Sequence, residues 1–212
     1  MAGLRPLVAM RGHGQTSKLI RDHEVESDSV SGLISILGGK WTTHRLMAED
    51  TIDAVQRGKG VPVTASRTKE YPLAGADGFA ESFSKSIEKE YSLPADVARH
   101  LAGKFGIRAL GVLETLKENG NWNERVAQGL PIIQAELVFC MRREMAETIE
   151  DLLARRTGAQ LYGWKAAMEA APVAAALLAN EKGWNAEQTA AATAEYQRKI
   201  RGFMNELGLS EA

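Results

Sequence analysis

The chain has 212 residues, 44% of them hydrophobic and 25% charged, with a formal net charge of -1. It therefore carries enough apolar material for a core and is not globally disordered, while its near neutrality excludes the broad basic face that nucleic-acid binding needs. A single cysteine, Cys140, excludes an internal disulfide and a cysteine-based zinc site, and no apolar run approaches the roughly 20 residues that span a bilayer.

The N-terminal stretch Met1-Ala2-Gly3-Leu4-Arg5-Pro6-Leu7-Val8 lacks the long apolar region of a secretory signal, and its abrupt apolar start reads as a cut end. His23 to Glu26 reads as a short strand. Gly32 to Leu37 reads as a second one, nearly continuous in apolar residues, as in a strand covered on both faces. Gly38-Gly39 ends it, and a helix starts around Thr42 or Thr43, either of which can cap it. The helix body runs through Leu46, Met47, Ile52 and Val55, with Glu49 and Asp50 in the first two turns, where the helix dipole favours negative charge. Gly58, Gly60, Pro62, Pro72, Gly75 and Gly78 mark residues 59–78 as an extended connector.

Beyond the connector the periodicity is helical, with helices predicted over 79–91, 95–104, 107–118, 132–156, 165–180 and 186–207. Pro94 and Pro131 suit helix starts, and Gly106, Gly129 and Gly183 suit breaks. Ala135, Val138, Phe139, Arg142, Met145, Ala146, Ile149, Leu152 and Leu153 recur at threes and fours, like one face of a single long helix. The organisation expected is mainly α: a strand–turn–helix piece over 1–58, a connector over 59–78 and a helical domain over 79–212.

The feature most suited to chemistry is Gly38-Gly39-Lys40-Trp41-Thr42-Thr43. Glycines let a ligand approach the backbone, a helix start offers free N–H groups and a positive dipole end, and Lys40 adds a full charge at the same point. Such a turn is suited to negative charge, either a phosphate or an anion of the reduced-flavin type. A plain strand-to-helix turn with a solvent-facing lysine fits the pattern equally well. The spacing is not that of a Walker motif.

This segment, with Arg45-x-Met47-Ala48-Glu49-Asp50 after it, closely resembles the FAD-dependent glycerol-3-phosphate dehydrogenases. Ala2-Gly3-Leu4-Arg5-Pro6-Leu7 and Arg21-Asp22-His23 resemble the family's preceding segments. Tyr71-Pro72-Leu73-x-Gly75, Ala135-Glu136, Arg143-Glu144-Met145-Ala146, Asp151-x-Leu153-x-Arg155-Arg156-Thr157 and Gly183-Trp184 resemble its C-terminal helical domain. The Gly-x-Gly-x-x-Gly turn that binds the ADP part of FAD in that family does not occur in this sequence, and His44 stands where the family usually has Tyr.

The resemblance implies a remnant of a flavin-binding α/β domain followed by a helical C-terminal domain, and hence a fragment that is incomplete alone. It implies oxidation of sn-glycerol 3-phosphate to dihydroxyacetone phosphate by FAD, with electrons passed to quinone. It implies catalytic roles for Arg5, near the substrate, and Lys40, and cofactor contacts from Gly38, Gly39, Lys40, Trp41, Thr42 and Thr43. Trp41 can pack near the ring, although a tryptophan is more often a core residue. The implied partners are a separate N-terminal FAD-binding chain and the quinone. The implied location is cytoplasmic, with peripheral contact at the inner face of the membrane. The alternatives are a fragment of a glycerol-3-phosphate oxidase and a non-enzymatic helical binding or assembly module.

The other polar residues read as structural. His13, His23, His44 and His100 form no metal-ligand spacing, although His23 has the best claim to function through its match to Arg-Asp-His. Arg155 is placed to pair with Asp151 one helical turn back, and Cys140 sits on an apolar helical face.

Overall fold

The computed structural model describes residues 22–209. The chain divides into two compact units, Met1–Tyr71 and Pro72–Ala212. The described residues are mainly α-helical, as the periodicity predicts, with a single two-stranded sheet.

In the first unit, β1 (His23–Ser27) and β2 (Ile34–Gly38) pair antiparallel, with His23 opposite Gly38 and Ser27 opposite Ile34. Asp28 shapes the connecting turn: its Oδ1 accepts hydrogen bonds from the N–H groups of Val30 at 2.9 Å and Ser31 at 2.7 Å. The Ser31 backbone donor, with the Ser31 hydroxyl and the Val30 N–H, holds the Asp28 carboxyl below the usual carboxylate range. The helix α1 (His44–Gly58) packs on both strands. The expectation that the second strand is covered on both faces is corrected here, because Leu33 is 64% and Leu37 is 41% exposed. Two strands and one helix make two layers, so within the described residues of this unit the helix covers one face of the hairpin and not the other. No described residue of this unit is fully buried.

The second unit holds α2 (Phe83–Tyr91), α3 (Ala95–Phe105), α4 (Ala109–Glu114), α5 (Gln134–Arg143), a π-helical turn over Asp151–Arg156, α6 (Ala159–Tyr162), α7 (Trp164–Lys182) and α8 (Ala186–Glu206). Its core follows helical spacing: Val97, Leu101 and Phe105 on α3, and Tyr196, Ile200 and Met204 on α8, each repeat every four residues and are buried. The α7 face is built from Ala167, Ala170, Ala171, Ala174 and Ala175, small side chains that let a neighbouring helix approach closely. Asn185 opens α8 with a reciprocal cap, accepting from the Gln188 N–H at 2.8 Å while its own N–H donates to the Gln188 side chain at 2.9 Å. Asp96 and Arg125 form two parallel bonds of 2.8 Å, which hold the Asp96 carboxyl below its ordinary range. No helix among the described residues is long and apolar enough to cross a membrane.

Two local solutions explain residues that the periodicity left bare. Gly75 and Gly106 lie backbone against backbone: a Cβ on Gly75 would stand 2.2 Å from the Phe105 carbonyl oxygen, and one on Gly106 would stand 2.1 Å from that of Gly75. Only glycine fits both places, and the Ile107 N–H donates to the Gly75 oxygen at 2.9 Å across the crossing. Pro172 lies inside α7 and has no N–H to give the Met168 carbonyl one turn back. The Gln197 side chain, reaching over from α8, donates to that carbonyl at 3.0 Å instead.

The single helix predicted over 132–156 is corrected to α5, a break and the π-helical turn. Met145 takes a left-handed backbone with φ of 57°, which a three–four periodicity does not register. The helix restarts at Thr148-Ile149-Glu150-Asp151, a capping pair. The Asp151 carboxylate accepts from the N–H groups of Glu147 at 3.1 Å and Thr148 at 3.0 Å, and the Asp151 N–H donates to the Thr148 hydroxyl at 3.0 Å. The helix predicted over 107–118 is likewise a short α4 flanked by 3₁₀ turns at Gly106–Arg108 and Thr115–Lys117, and the one predicted from 79 starts at Phe83.

Glu136 on α5 is completely buried and is satisfied from α3, where Lys104 Nζ lies 2.6 Å and His100 Nε2 2.8 Å from its carboxylate oxygens. His100 and Lys104 are one turn apart, so both reach the same carboxylate. Removing one partner of a buried charge pair costs far more than replacing both by apolar groups. Lys104→Met is therefore expected to cost about 3–5 kcal/mol in chemical denaturation. The double variant Glu136→Leu/Lys104→Met should recover most of that loss. A Lys104→Met protein as stable as the parent would contradict this account.

Candidate functional site

The Gly38–Thr43 turn joins β2 to α1. Gly38 and Gly39 take left-handed backbones with φ of 73° and 81°. Lys40 returns to an extended conformation, Trp41–Thr43 form one turn of 3₁₀-helix, and α1 begins at His44. The Gly39 N–H donates to the Asp22 carbonyl at 3.2 Å, which seats the glycine pair against the start of β1. Beneath the turn lies Met47: a Cβ on Gly39 would stand 2.5 Å from its sulfur.

Lys40, Trp41 and Thr42 are exposed together on the outer side of this turn, with Trp41 90% exposed. Trp41 is thus a surface side chain, which corrects its reading as a core residue. The N–H groups of Trp41 and Thr42 belong to the first turn, where a helix start leaves donors without intrahelical partners. A full positive charge and a helix N-terminus therefore meet at one exposed point, an arrangement suited to an anionic group.

The threonines differ in role. Thr43 precedes α1 but makes no side-chain cap to it, contrary to the expected cap. Its hydroxyl closes the turn instead, donating to the Lys40 carbonyl at 3.1 Å and accepting from the Lys40 N–H at 3.3 Å. Thr42 keeps its side chain exposed. His44, which stands where the resembling family usually has Tyr, bonds locally through Nδ1 to the Trp41 carbonyl at 2.8 Å. Gly38, Gly39, Lys40, Trp41, Thr42 and Thr43 thus form one contiguous surface. Arg5 and His13 lie outside the described residues.

One contact behind the turn was not readable from sequence. His23, at the start of β1, places Nε2 2.6 Å from Asp50 Oδ2 on α1. The two residues are 27 apart in the chain, and no short-range pattern links them.

Cys140 and Arg155, read as structural, behave so. Cys140 is buried, and burial pushes its thiol well above the ordinary value, as for a structural cysteine. Arg155 pairs with Asp151 at 3.0 Å, and Arg142 grips Glu118 at 2.9 Å and Glu181 at 2.7 Å. In the second unit an open groove of about 660 Å³ lies along α7 and α8, lined by residues such as Ala176, Trp184, Thr189 and Thr193. Its lining is apolar and neutral-polar, with no charged side chain.

Comparison with known proteins covers much of the chain. A family model described as the C-terminal domain of alpha-glycerophosphate oxidase matches residues 66–189. A probable mitochondrial glycerol-3-phosphate dehydrogenase of Dictyostelium discoideum is 39% identical over 163 residues, covering 74% of this chain and 25% of that protein. The mitochondrial glycerol-3-phosphate dehydrogenase of Bos taurus is 35% identical over 188 residues, covering 87% of this chain and 26% of its own length. A mitochondrial glycerol-3-phosphate dehydrogenase of Arabidopsis thaliana is 31% identical over 199 residues, covering 87% and 31%. The longer alignments exceed the length of Pro72–Ala212 and so extend into the first unit. The chain spans about a quarter to a third of the length of these relatives.

The turn's shape rests on Gly39. Met47 can swing its sulfur aside from an added methyl, but the backbone at φ 81° cannot relax in the same way. Gly39→Ala is expected to destabilise the first unit by about 1–2 kcal/mol, the cost of a left-handed alanine. Adding Met47→Ala should not restore it. Full recovery in the double variant, followed by thermal melting, would show that side-chain contact and not backbone conformation requires the glycine.

Proposed function

The chain belongs to the family described as the C-terminal domain of alpha-glycerophosphate oxidase, and on that premise we propose that it forms the C-terminal portion of an FAD-dependent glycerol-3-phosphate dehydrogenase. In the complete enzyme FAD would supply the two-electron acceptor for oxidation of sn-glycerol 3-phosphate to dihydroxyacetone phosphate, with the electrons passed on to a quinone.

The observation that carries this reading is the exposed Gly38–Thr43 turn. Its residues fit one part of the cofactor. Gly38 and Gly39 allow close backbone approach, while Lys40 and the first-turn N–H groups of Trp41 and Thr42 offer positive charge where the ring's N1 and C2 carbonyl gather negative charge. Lys40 acts as a fixed countercharge that need not transfer a proton. Trp41, with its indole uncovered, offers an apolar plate beside it. Thr43 keeps the turn closed through its hydroxyl. Arg5 is assigned to the substrate phosphate or developing alkoxide, for which a guanidinium is suited.

The sequence has no Gly-x-Gly-x-x-Gly turn, so the phosphates of the cofactor are assigned to an FAD-binding part outside these residues. The apolar residues left open on the first unit, among them Leu33, Leu37, Leu46 and Ile52, support such a partner. Cytoplasmic placement, with peripheral contact at the inner face of the membrane where quinone is met, belongs to the same proposal. The word oxidase in the family's description favours a second reading, in which oxygen takes the electrons instead.

The test is Lys40→Ala in the FAD-loaded enzyme that contains this chain. Flavin reduction by glycerol 3-phosphate should slow by about 100-fold or more, the scale for removing one oriented group from a site of developing charge. The melting temperature should stay close to that of the parent, because Lys40 is exposed. Unchanged reduction kinetics would refute the role.

A further inference from the structure

We propose that His23 is a positioning residue: its bond to Asp50 fixes the glycine turn and, through it, the place of Lys40. The inference rests on the reading above, that Lys40 faces the flavin. The turn itself is soft, because two successive glycines lose more conformational freedom on ordering than any other pair. Something must hold its two ends at a fixed separation. His23 lies on β1, paired across the sheet with Gly38 where the turn begins, and Asp50 lies on the helix after the turn, so the 2.6 Å contact between Nε2 and Oδ2 ties the two ends of residues 38–43 together.

Three further observations set this pair apart from an ordinary surface ion pair. The His23 side chain is only 7% exposed, in a unit that has no fully buried residue among those described. Its Cβ lies 3.3 Å from where a Cβ on Gly39 would stand, so the imidazole's own stem supports the turn. Its Nδ1 is buried without a hydrogen-bond partner among the described residues; the nearest carboxylate oxygen, on Asp22, is 3.5 Å away without hydrogen-bond geometry. A buried, unsatisfied nitrogen costs stability. A residue chosen for stability alone would not carry that cost, whereas one whose ring must occupy this place for the turn's sake would.

The experiment is an equilibrium one on the FAD-loaded enzyme that contains this chain: the flavin midpoint potential of the parent, Lys40→Ala, His23→Ala and His23→Gln proteins. Lys40→Ala should shift the two-electron reduction equilibrium against reduction by about tenfold, which is about 30 mV. His23→Ala should reproduce much of that shift although it leaves every lysine in place. His23→Gln, whose amide N–H still reaches Asp50, should restore the parent potential. If His23→Ala does not take up FAD, His23→Asn, which is too short to reach Asp50, carries the same expectation. A parent-like potential in His23→Ala, or a His23→Gln protein as shifted as His23→Ala, overturns the positioning role while leaving Lys40's role intact. A parent-like potential in Lys40→Ala overturns the proposed function itself.

Discussion

Glu136, wholly out of solvent yet held by Lys104 and His100 on the facing helix, decides how α3 and α5 meet. A carboxylate in that position tolerates one geometry, because losing either partner leaves charge in a medium that cannot solvate it. Other ion pairs and buried groups lie on the same two helices. Cys140 follows Glu136 by one turn and is buried beside it, and the Arg142 guanidinium stands 5.6 Å from the Trp122 ring while gripping Glu118 and Glu181. Asp96, on the same helix as the pair's donors, is locked to Arg125.

The first unit is held differently. It has no fully buried residue among those described, so hydrogen bonds and backbone conformation carry much of what packing carries elsewhere. The hairpin ladder, the Asp28 turn, the Thr43 closure and the His23–Asp50 contact all act on a short stretch of chain around the glycine pair. The consequence is a turn that is well defined yet uncovered, with Lys40, Trp41 and Thr42 turned outward. Such a surface suits a group brought to it by another part of a larger protein. That agrees with the relatives, each three to four times as long as the stretch they share with this chain.

Much of this was legible in the sequence because it depends on local chemistry. Gly38-Gly39 followed by Lys40 and a helix start is a short-range pattern, and so are the breaks at Gly106 and Gly183. What escaped the sequence depends on contacts between distant residues. The Gly75–Gly106 crossing, the Gln197 side chain that replaces the N–H missing at Pro172, and the His23–Asp50 contact each join residues far apart in the chain. The long helix over 132–156 failed for a subtler reason. Its apolar residues keep helical spacing through the break, and only Thr148 and Asp151, a capping pair hidden among charged residues, record that the helix stops and restarts. Trp41 misled in the opposite direction, since indoles are usually buried and this one is not.

The account stands or falls on whether this chain supplies the flavin-facing surface for glycerol 3-phosphate oxidation. The direct measurement is glycerol-3-phosphate-dependent dye reduction with the purified chain and FAD, with an N-terminal FAD-binding part and FAD, and with the two together. The account predicts turnover in the combined sample alone. Equal turnover by the N-terminal part without this chain, or strong turnover by this chain without a partner, would contradict it.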